Sequence, residues 1–576
     1  MEFPVSHRLA AGDRLNALEA ALFSGKLNRG RFIKSAMAAG MTATAAQTAA
    51  AEGVNAAITQ SYNSKTLLSA YDYIVVGGGS GGSVVAGRLA AETDAKVLLL
   101  EAGGTDQIDA VLTPGLWPTN IRSERDWGHT ADASDKVNGR SLILPMGKVV
   151  GGGSSINVMV WARGHKNDFD FWAAETGDAG WKYANVLEIY KRIEDWQGKP
   201  DPARRGKGGR LWVTAAENPT AIAPALLQAA ASVGIPAFDD MNGVMMEGPG
   251  GAAIANVRIR NGRRLNLPAA YLHPALGRPN LTVLTGAEVV SLTLEGTRVK
   301  GLTFTRNGKT ETVLANQRVI LSAGTINTPK ILMLSGIGDE AELAKHGIKT
   351  AVKLPGVGRN FQDHVLVAGC IWEYPTALPP ANNLAEATFF WKSDSKLDTP
   401  DLQPFQIEVP FASEVTGPQF SPPAGAWTLA PGLVRPKSLG RVHLSSSDPA
   451  ALARVDARFL SEPDDMTAIL RGIELCRDIG NSSVMKPYVK REVMPGPLGA
   501  ADMINFVKNA AGTYYHESCT CRMGRDEFSV VDGRLSVHGV NGLSIADASV
   551  MPRVSTGNTM ASTVIIGERM VDILKG

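Results

Sequence analysis

The most ordered hydrophobic pattern in the chain lies between residues 71 and 104. An unbroken apolar run at 73–76, Tyr-Ile-Val-Val, has no polar alternation and reads as a strand buried on both faces. A glycine cluster follows it. Small and apolar residues at 83–91 then have the spacing of a helix packed on a sheet. A second apolar run, Val-Leu-Leu-Leu at 97–100, predicts the next strand, and Glu101 sits at its end. Strand, glycine turn, helix and strand in this order predict a βαβ unit with parallel strands.

Further along, the pattern changes. Residues 105–140 are irregular, with Pro114, Trp117, Pro118 and Trp127, and read as a long excursion over a site. Residues 166–200 carry Trp, Phe and Tyr at helical spacing, which predicts core packing. Apolar runs at 281–284, 288–294 and 299–304, punctuated by Gly286, Gly296 and Gly301, predict a three-stranded meander. A strand at 317–321 runs into a helix at 328–334, with Pro329 tolerated in its first turn. Residues 354–364 form a turn-rich connector. Between 365 and 510, strand-like runs alternate with proline-rich loops around one clear helix at 464–479. A strand at 543–547, ending on Asp547, and a helix at 558–574 close the chain.

The two ends therefore look parallel and the middle antiparallel. The fold class is α/β with an α+β substrate part: a Rossmann-like domain with a parallel sheet, plus a second domain on an antiparallel sheet. The expected division is 71–165, 245–345 and 530–576 for the nucleotide-binding domain, and 166–244 and 346–529 for the other.

Residues 1–70 stand apart. A helical apolar pattern at 9–23 precedes Asn28-Arg29-Gly30-Arg31-Phe32-Ile33-Lys34 and a mild Ala/Met/Thr run at 35–51. That order is similar to a twin-arginine export signal whose arginine pair is broken by Gly30. The protein is expected in the periplasm if that segment works as a signal, and in the cytoplasm if it is only a helical extension. Either way residues 1–70 are expected to lie outside the catalytic fold.

Composition adds limits. The chain has 576 residues, 44% hydrophobic and 20% charged, with a net charge of +2, which gives no electrostatic case for nucleic acid. No apolar run reaches the length of a transmembrane helix. The four cysteines, Cys370, Cys476, Cys519 and Cys521, include a C-x-C but no second cluster, so no metal site is expected.

The chemistry begins in the glycine cluster. Gly77, Gly79 and Gly82 form G-x-G-x-x-G directly after the first strand. In that position Gly77 allows the tight turn, Gly79 lets backbone approach a pyrophosphate, and Gly82 lets helix and strand pack closely. The helix N-terminus favours phosphate charge. Glu101, 19 residues after Gly82, is placed to accept from a ribose diol. A second glycine-rich segment at 147–157 offers backbone N–H groups, Ser154, Ser155 and Asn157 to a polar cofactor.

Taken together, the segments 75–104, 147–164, 322–338, 354–364, 516–524 and 543–569 resemble the glucose–methanol–choline (GMC) oxidoreductase family. The resemblance runs from Tyr71 almost to the C-terminus. It implies FAD and a discontinuous flavin domain. It also implies oxidation of an alcohol to an aldehyde or ketone by hydride transfer to flavin N5. Oxygen, a quinone or another acceptor would then take the electrons. Carried onto this chain, Gly77, Gly79, Ser80, Gly82 and Glu101 resemble the adenosine-diphosphate site, and Val289 the adenine contact. Gly151, Ser155 and Asn157 resemble contacts to the flavin ring and ribityl chain, and Asp547 and Ala548 the C-terminal flavin contact. His516 matches the family's catalytic histidine, acting as general base or its hydrogen-bonding activator. Asn558 matches the second polar residue, and a cap on the helix it begins is compatible with that role.

Two departures matter. Where some members carry a histidine that bonds FAD covalently, this chain has Ile156, so non-covalent FAD is expected. Glu517 follows His516 where many members have proline. The substrate class is left open, with choline not favoured. The alternative on the same fold is an FAD-containing lyase or decarboxylase that oxidises no alcohol.

Overall fold

The computed structural model describes residues 29–38 and 41–576. The predicted helical stretch at 9–23 lies outside the described residues.

A seven-stranded sheet carries the first unit. Its order is Leu281–Leu284, Val97–Leu100, Ala70–Val76, Lys309–Leu321, Arg298–Arg306 and Ala287–Glu295, with Leu543–Ile545 pairing beside Lys309–Leu321. Ala70–Val76 runs parallel to Val97–Leu100, with Tyr73 opposite Val97 and Val76 opposite Leu100. The unbroken apolar runs have the reason expected of them. All four residues of Val97–Leu100 are buried, because helices or chain cover both faces. Full burial of each such Val or Leu contributes roughly 1.5–3 kcal/mol. The helix Ser80–Glu92 packs on this sheet and against the C-terminal helix Met560–Lys575.

The meander differs from the expectation. Its three strands are Ala287–Glu295, Arg298–Arg306 and Lys309–Leu321, all antiparallel. Leu281–Leu284 instead crosses to the far edge and pairs parallel to Val97–Leu100. The predicted 317–321 strand is the end of a thirteen-residue strand. Its first half closes the meander. Its second half lies between Ala70–Val76 and Leu543–Ile545 in parallel pairing.

The second sheet is six-stranded and antiparallel, in the order Arg491–Met494, Ile371–Glu373, Ala426–Ala430, Phe405–Ile407, Ala387–Phe390 and Gly251–Ile254. Gly251–Ile254 was expected in the nucleotide-binding part, within 245–345. It hydrogen-bonds instead to Ala387–Phe390 of the antiparallel sheet. The aromatic stretch packs as expected, with Phe169, Trp172, Trp181 and Tyr190 in the core.

The helix Ala43–Lys65 belongs to the fold more closely than a detached extension would. Gln60 Nε2 donates to Leu276 O (2.8 Å) and Leu281 O (3.0 Å), and Gln60 Oε1 accepts from Val283 N at 3.0 Å. Leu281–Leu284 is an edge strand, so these bonds satisfy backbone groups that would otherwise be open to another strand. Among the described residues no helix is long and apolar enough to cross a membrane.

Candidate functional site

A cavity of about 540 Å³ lies where the two sheets meet. It takes in the ends of two parallel strands at Val76 and Leu100, the turn at Ser322, and Phe405 and Ile407 of the antiparallel sheet. The carboxyl ends of parallel strands are where ligands enter folds of this kind.

The glycines build one end. Gly77 turns with φ +94°, and a Cβ at Gly82 would meet Gly77 O at 1.9 Å. Only glycine allows that turn and that helix-to-turn approach. The second glycine segment runs directly over the first: Gly151 N donates to Gly78 O at 2.7 Å. Gly77, Gly79, Ser80, Gly152, Gly153 and Asn157 face the cavity. A Cβ added at Gly79 would find no other atom nearer than 3.8 Å, so it would project into a space shaped for a ligand lying along backbone. The first N–H groups of the helix beginning at Ser80 have no intrahelical partner, and Ser80 and Gly81 line that space.

Glu101 closes this end. Gly103 N donates to Oε1 at 2.7 Å and Gly78 N to Oε2 at 2.8 Å, which leaves lone pairs for hydroxyl donors. Burial raises its carboxyl to about 7, against those two backbone bonds. Val289 and Ala548 line the cavity. Asp547 lines it too, and is held by Gly324 N (2.9 Å), Thr328 Oγ1 (2.6 Å) and Ser549 N (2.9 Å). Gly82, Gly151 and Ser155 sit behind the lining. Ser155 is fully buried, donates to Val150 O at 2.6 Å and accepts from Asn266 Nδ2 at 2.9 Å, so it shapes the segment from inside. Asn157 Oδ1 accepts from Met159 N (2.9 Å) and Arg264 Nη1 (2.8 Å).

The other end holds His516 and Asn558. Asn558 Nδ2 lies 3.1 Å from His516 Nε2. Asn558 does not cap its helix: the helix Met560–Lys575 has Thr559 at its N-cap and no side-chain cap. The asparagine turns to the histidine instead, and its Oδ1 accepts from Gln403 Nε2 at 3.1 Å. On the other side of the ring, His516 Nδ1 lies 2.9 Å from His364 Nδ1. Tyr514 stacks on His516 with ring centroids 5.0 Å apart. The backbone is fixed as well: Tyr515 adopts φ +65°, a sparsely populated region for a bulky residue. Asp363 holds that turn, accepting from His516 N at 2.9 Å and Thr513 Oγ1 at 2.5 Å.

Burial sets the charge of these groups. It lowers His516 to about 3 and pushes His364 well down, so both rings are neutral. Burial pushes the Asp363 and Glu517 carboxyls up. His364, Asp363 and Gln403 were not singled out in the sequence. His364 ends the connector at 354–364, and its spacing gives no sign of the ring it meets. Gln403 has no local signal at all. Cys519 and Cys521 are buried packing residues, and Arg522 pairs with Asp526 at 2.6 Å.

Family models described as GMC oxidoreductase match residues 71–366 and 436–567. The oxygen-dependent choline dehydrogenase of Staphylococcus xylosus is 36% identical over 544 residues, covering 88% of this chain and 95% of its own. The alcohol dehydrogenase [acceptor] of Pseudomonas putida is 34% identical over 533 residues, with coverage of 88% and 95%. Among solved structures, pyridoxine 4-oxidase from Mesorbium loti superposes with a TM-score of 0.83 at 32% identity. That match covers 87% of this chain and 98% of that one.

Proposed function

Because the chain belongs to the GMC oxidoreductase family and is a flavoprotein that takes FAD, we propose that it oxidises an alcohol, with His516 as general base and Asn558 holding the substrate oxygen. The observation that carries this reading is the 3.1 Å contact between Asn558 Nδ2 and His516 Nε2, inside the cavity that Glu101 and the glycine segments also line. The relatives named for choline and alcohol oxidation support it.

FAD, when bound, supplies the two-electron acceptor. The remaining work falls to side chains. The substrate hydroxyl proton needs a base within hydrogen-bond reach, and a neutral imidazole with a bare Nε2 meets that need. Asn558 stabilises the same oxygen without bringing a charge into the buried site. Glu101 and the first turn after Gly77 would hold the adenosine diphosphate. Asn157, kept in place by Arg264, would meet the ring end. Ile156 offers no nucleophile, which supports a non-covalent cofactor. Electrons then pass to oxygen, a quinone or another acceptor.

General-base help is worth roughly 10²- to 10⁴-fold. His516→Ala is expected to slow anaerobic flavin bleaching by at least the lower figure while the flavin stays bound. Unchanged bleaching by a good alcohol removes His516 from this role.

A further inference from the structure

We propose that the pocket selects an uncharged alcohol carrying an apolar aryl or alkyl group, and rejects polyols and quaternary ammonium alcohols. This rests on the reading of the site as an alcohol-oxidising centre.

An apolar wall of the cavity that holds the catalytic pair is the observation. Phe405, Ile407, Val409 and Phe411 all line the cavity that holds His516 and Asn558. They are alternate residues, beginning in the strand Phe405–Ile407. The polar residues between them are used elsewhere. Gln406 Oε1 accepts from Ala387 N at 2.9 Å, and Glu408 Oε2 accepts from Ala381 N at 2.5 Å. The period of the strand therefore puts an apolar face on the substrate and removes the carboxylate from it. Trp117 and Leu384 also line the cavity. Trp117 Nε1 already donates to Asn383 O at 3.0 Å, so its ring offers only apolar surface.

A polyol bound there would lose water from the hydroxyls it turns towards Phe405, Ile407, Val409 and Phe411, and each unpaired hydroxyl is unfavourable. A quaternary ammonium leaving water needs an ionised carboxylate beside it to offset the lost hydration. The carboxylates that line the cavity are Glu101, Glu288, Asp547 and Glu517. Glu101, Glu288 and Asp547 belong to the cofactor end. Glu517 is buried beside Asp363 and Asp126, which favours its protonated form. An alkyl or aryl group gains from the wall in proportion to the surface it buries.

The test is anaerobic stopped-flow of the holoenzyme with ethanol, 1-butanol, 1-hexanol, benzyl alcohol, glycerol, glucose and choline, followed by flavin absorbance. The second-order rate of bleaching is expected to rise about fourfold for each added methylene until the wall is filled. Benzyl alcohol and 1-hexanol are expected to exceed glycerol and choline by more than about a hundredfold. Phe411→Ala should reduce the ratio of the 1-hexanol rate to the ethanol rate by about tenfold. Ile407→Glu should depress 1-hexanol more strongly still. Choline or a polyol reacting as fast as 1-hexanol overturns the inference, and so does a flat response to chain length. If benzyl alcohol perturbs the flavin spectrum at saturation while no alcohol bleaches it, the apolar pocket stands and the oxidation reading fails. No response of either kind overturns both.

Discussion

His364 Nδ1 and His516 Nδ1 lie 2.9 Å apart, so the two rings share one proton between them. If His516 donates it, Nε2 of His516 is bare and can accept from Asn558 Nδ2, as the 3.1 Å contact requires. The reverse tautomer would set an Nε2–H against the Asn558 amide N–H groups. His364 then carries its own proton on Nε2, and backbone hydrogen bonding at Ser555 and Val434 favours a proton on that ring. This pairing leaves His516 Nε2 unprotonated, as the proposed base role requires.

Removing His364 should therefore slow chemistry more than binding. His364→Phe keeps the volume and loses the acceptor. It is expected to lower flavin reduction by about 10- to 100-fold, with a much smaller change in the alcohol concentration for half-maximal rate. Nitrogen NMR of His516 should show Nδ1–H in the wild type and a mixture of tautomers in the variant. An Nε2–H wild-type ring would contradict the arrangement.

Gln403 fixes the other side. Its Nε2 bond to Asn558 Oδ1, at 3.1 Å, is what turns the Asn558 N–H groups towards His516. Gln403→Glu replaces the donor with acceptor oxygens, so Asn558 is expected to flip and present Oδ1 to His516. One misdirected buried hydrogen bond is worth about 0.5–1.5 kcal/mol, or roughly 2- to 13-fold in rate. Gln403→Glu should lose at least that much in bleaching rate, and more as pH rises and the carboxyl ionises. Gln403→Leu should show the loss without the added pH dependence. Equal profiles for the two variants would assign Gln403 to packing alone.

Much of this was legible in the sequence because its signals were local. The runs at 73–76 and 97–100 are apolar throughout since both faces of a parallel sheet are covered. Gly77 and Gly82 mark backbone approaches that no other residue permits, and Gly79 leaves its space open to a ligand. What was hidden depends on contacts between distant segments. The run at 281–284 looks like the first strand of a meander, yet it crosses to the far edge beside Val97–Leu100. Gly251–Ile254 carries nothing that says which sheet it joins. His364 and Gln403 reach their partners across 152 and 155 residues. Asn558, at a predicted helix start, invited a capping role, and only its neighbours show that it turns to His516.

The arm that carries Trp161 and Arg163 is anchored by a buried ion network. Glu194 accepts from Arg163 Nε (2.7 Å), Arg205 Nη1 (2.9 Å) and Trp161 Nε1 (2.7 Å), with both guanidiniums nearly fully buried. Removing the carboxylate strands the Arg163 cation without water, while Arg205 keeps Asp240 at 2.7 Å. Glu194→Ala is expected to destabilise the fold by about 3–5 kcal/mol, read as a fall in the denaturant midpoint. Glu194→Gln keeps the shape and should lose nearly as much, because charge, not volume, is missing. A midpoint unchanged in both variants would mean that the network contributes little.

Ile156 sits at the cavity with a side chain that forms no bond to a flavin. Acid precipitation of the purified holoenzyme should leave all yellow colour in the supernatant. Colour retained in the pellet after washing in denaturant would show a covalent tie to another side chain.

Burial lowers His516 to about 3, below the ordinary value near 6.5. A neutral base over that whole interval means that flavin reduction should stay within about twofold from pH 8 to pH 5.5. A tenfold fall per unit below 6.5 would show His516 titrating as an exposed ring does. Stability carries the same sign. The unfolded chain binds the proton first, so the contribution of a neutral His516 is complete above about pH 6.5. It is then lost at about 1.4 kcal/mol per unit as pH falls towards 3. His364 acts in the same direction. Glu101, raised to about 7, acts in the opposite one, because its buried carboxyl takes up a proton before the unfolded chain does. Total stability therefore mixes both, and the comparison with His516→Gln isolates the ring. The stability difference between wild type and variant should shift against the wild type by about 2 kcal/mol between pH 7 and pH 5. A difference that does not move with pH would place the folded-state titration of His516 at its ordinary value.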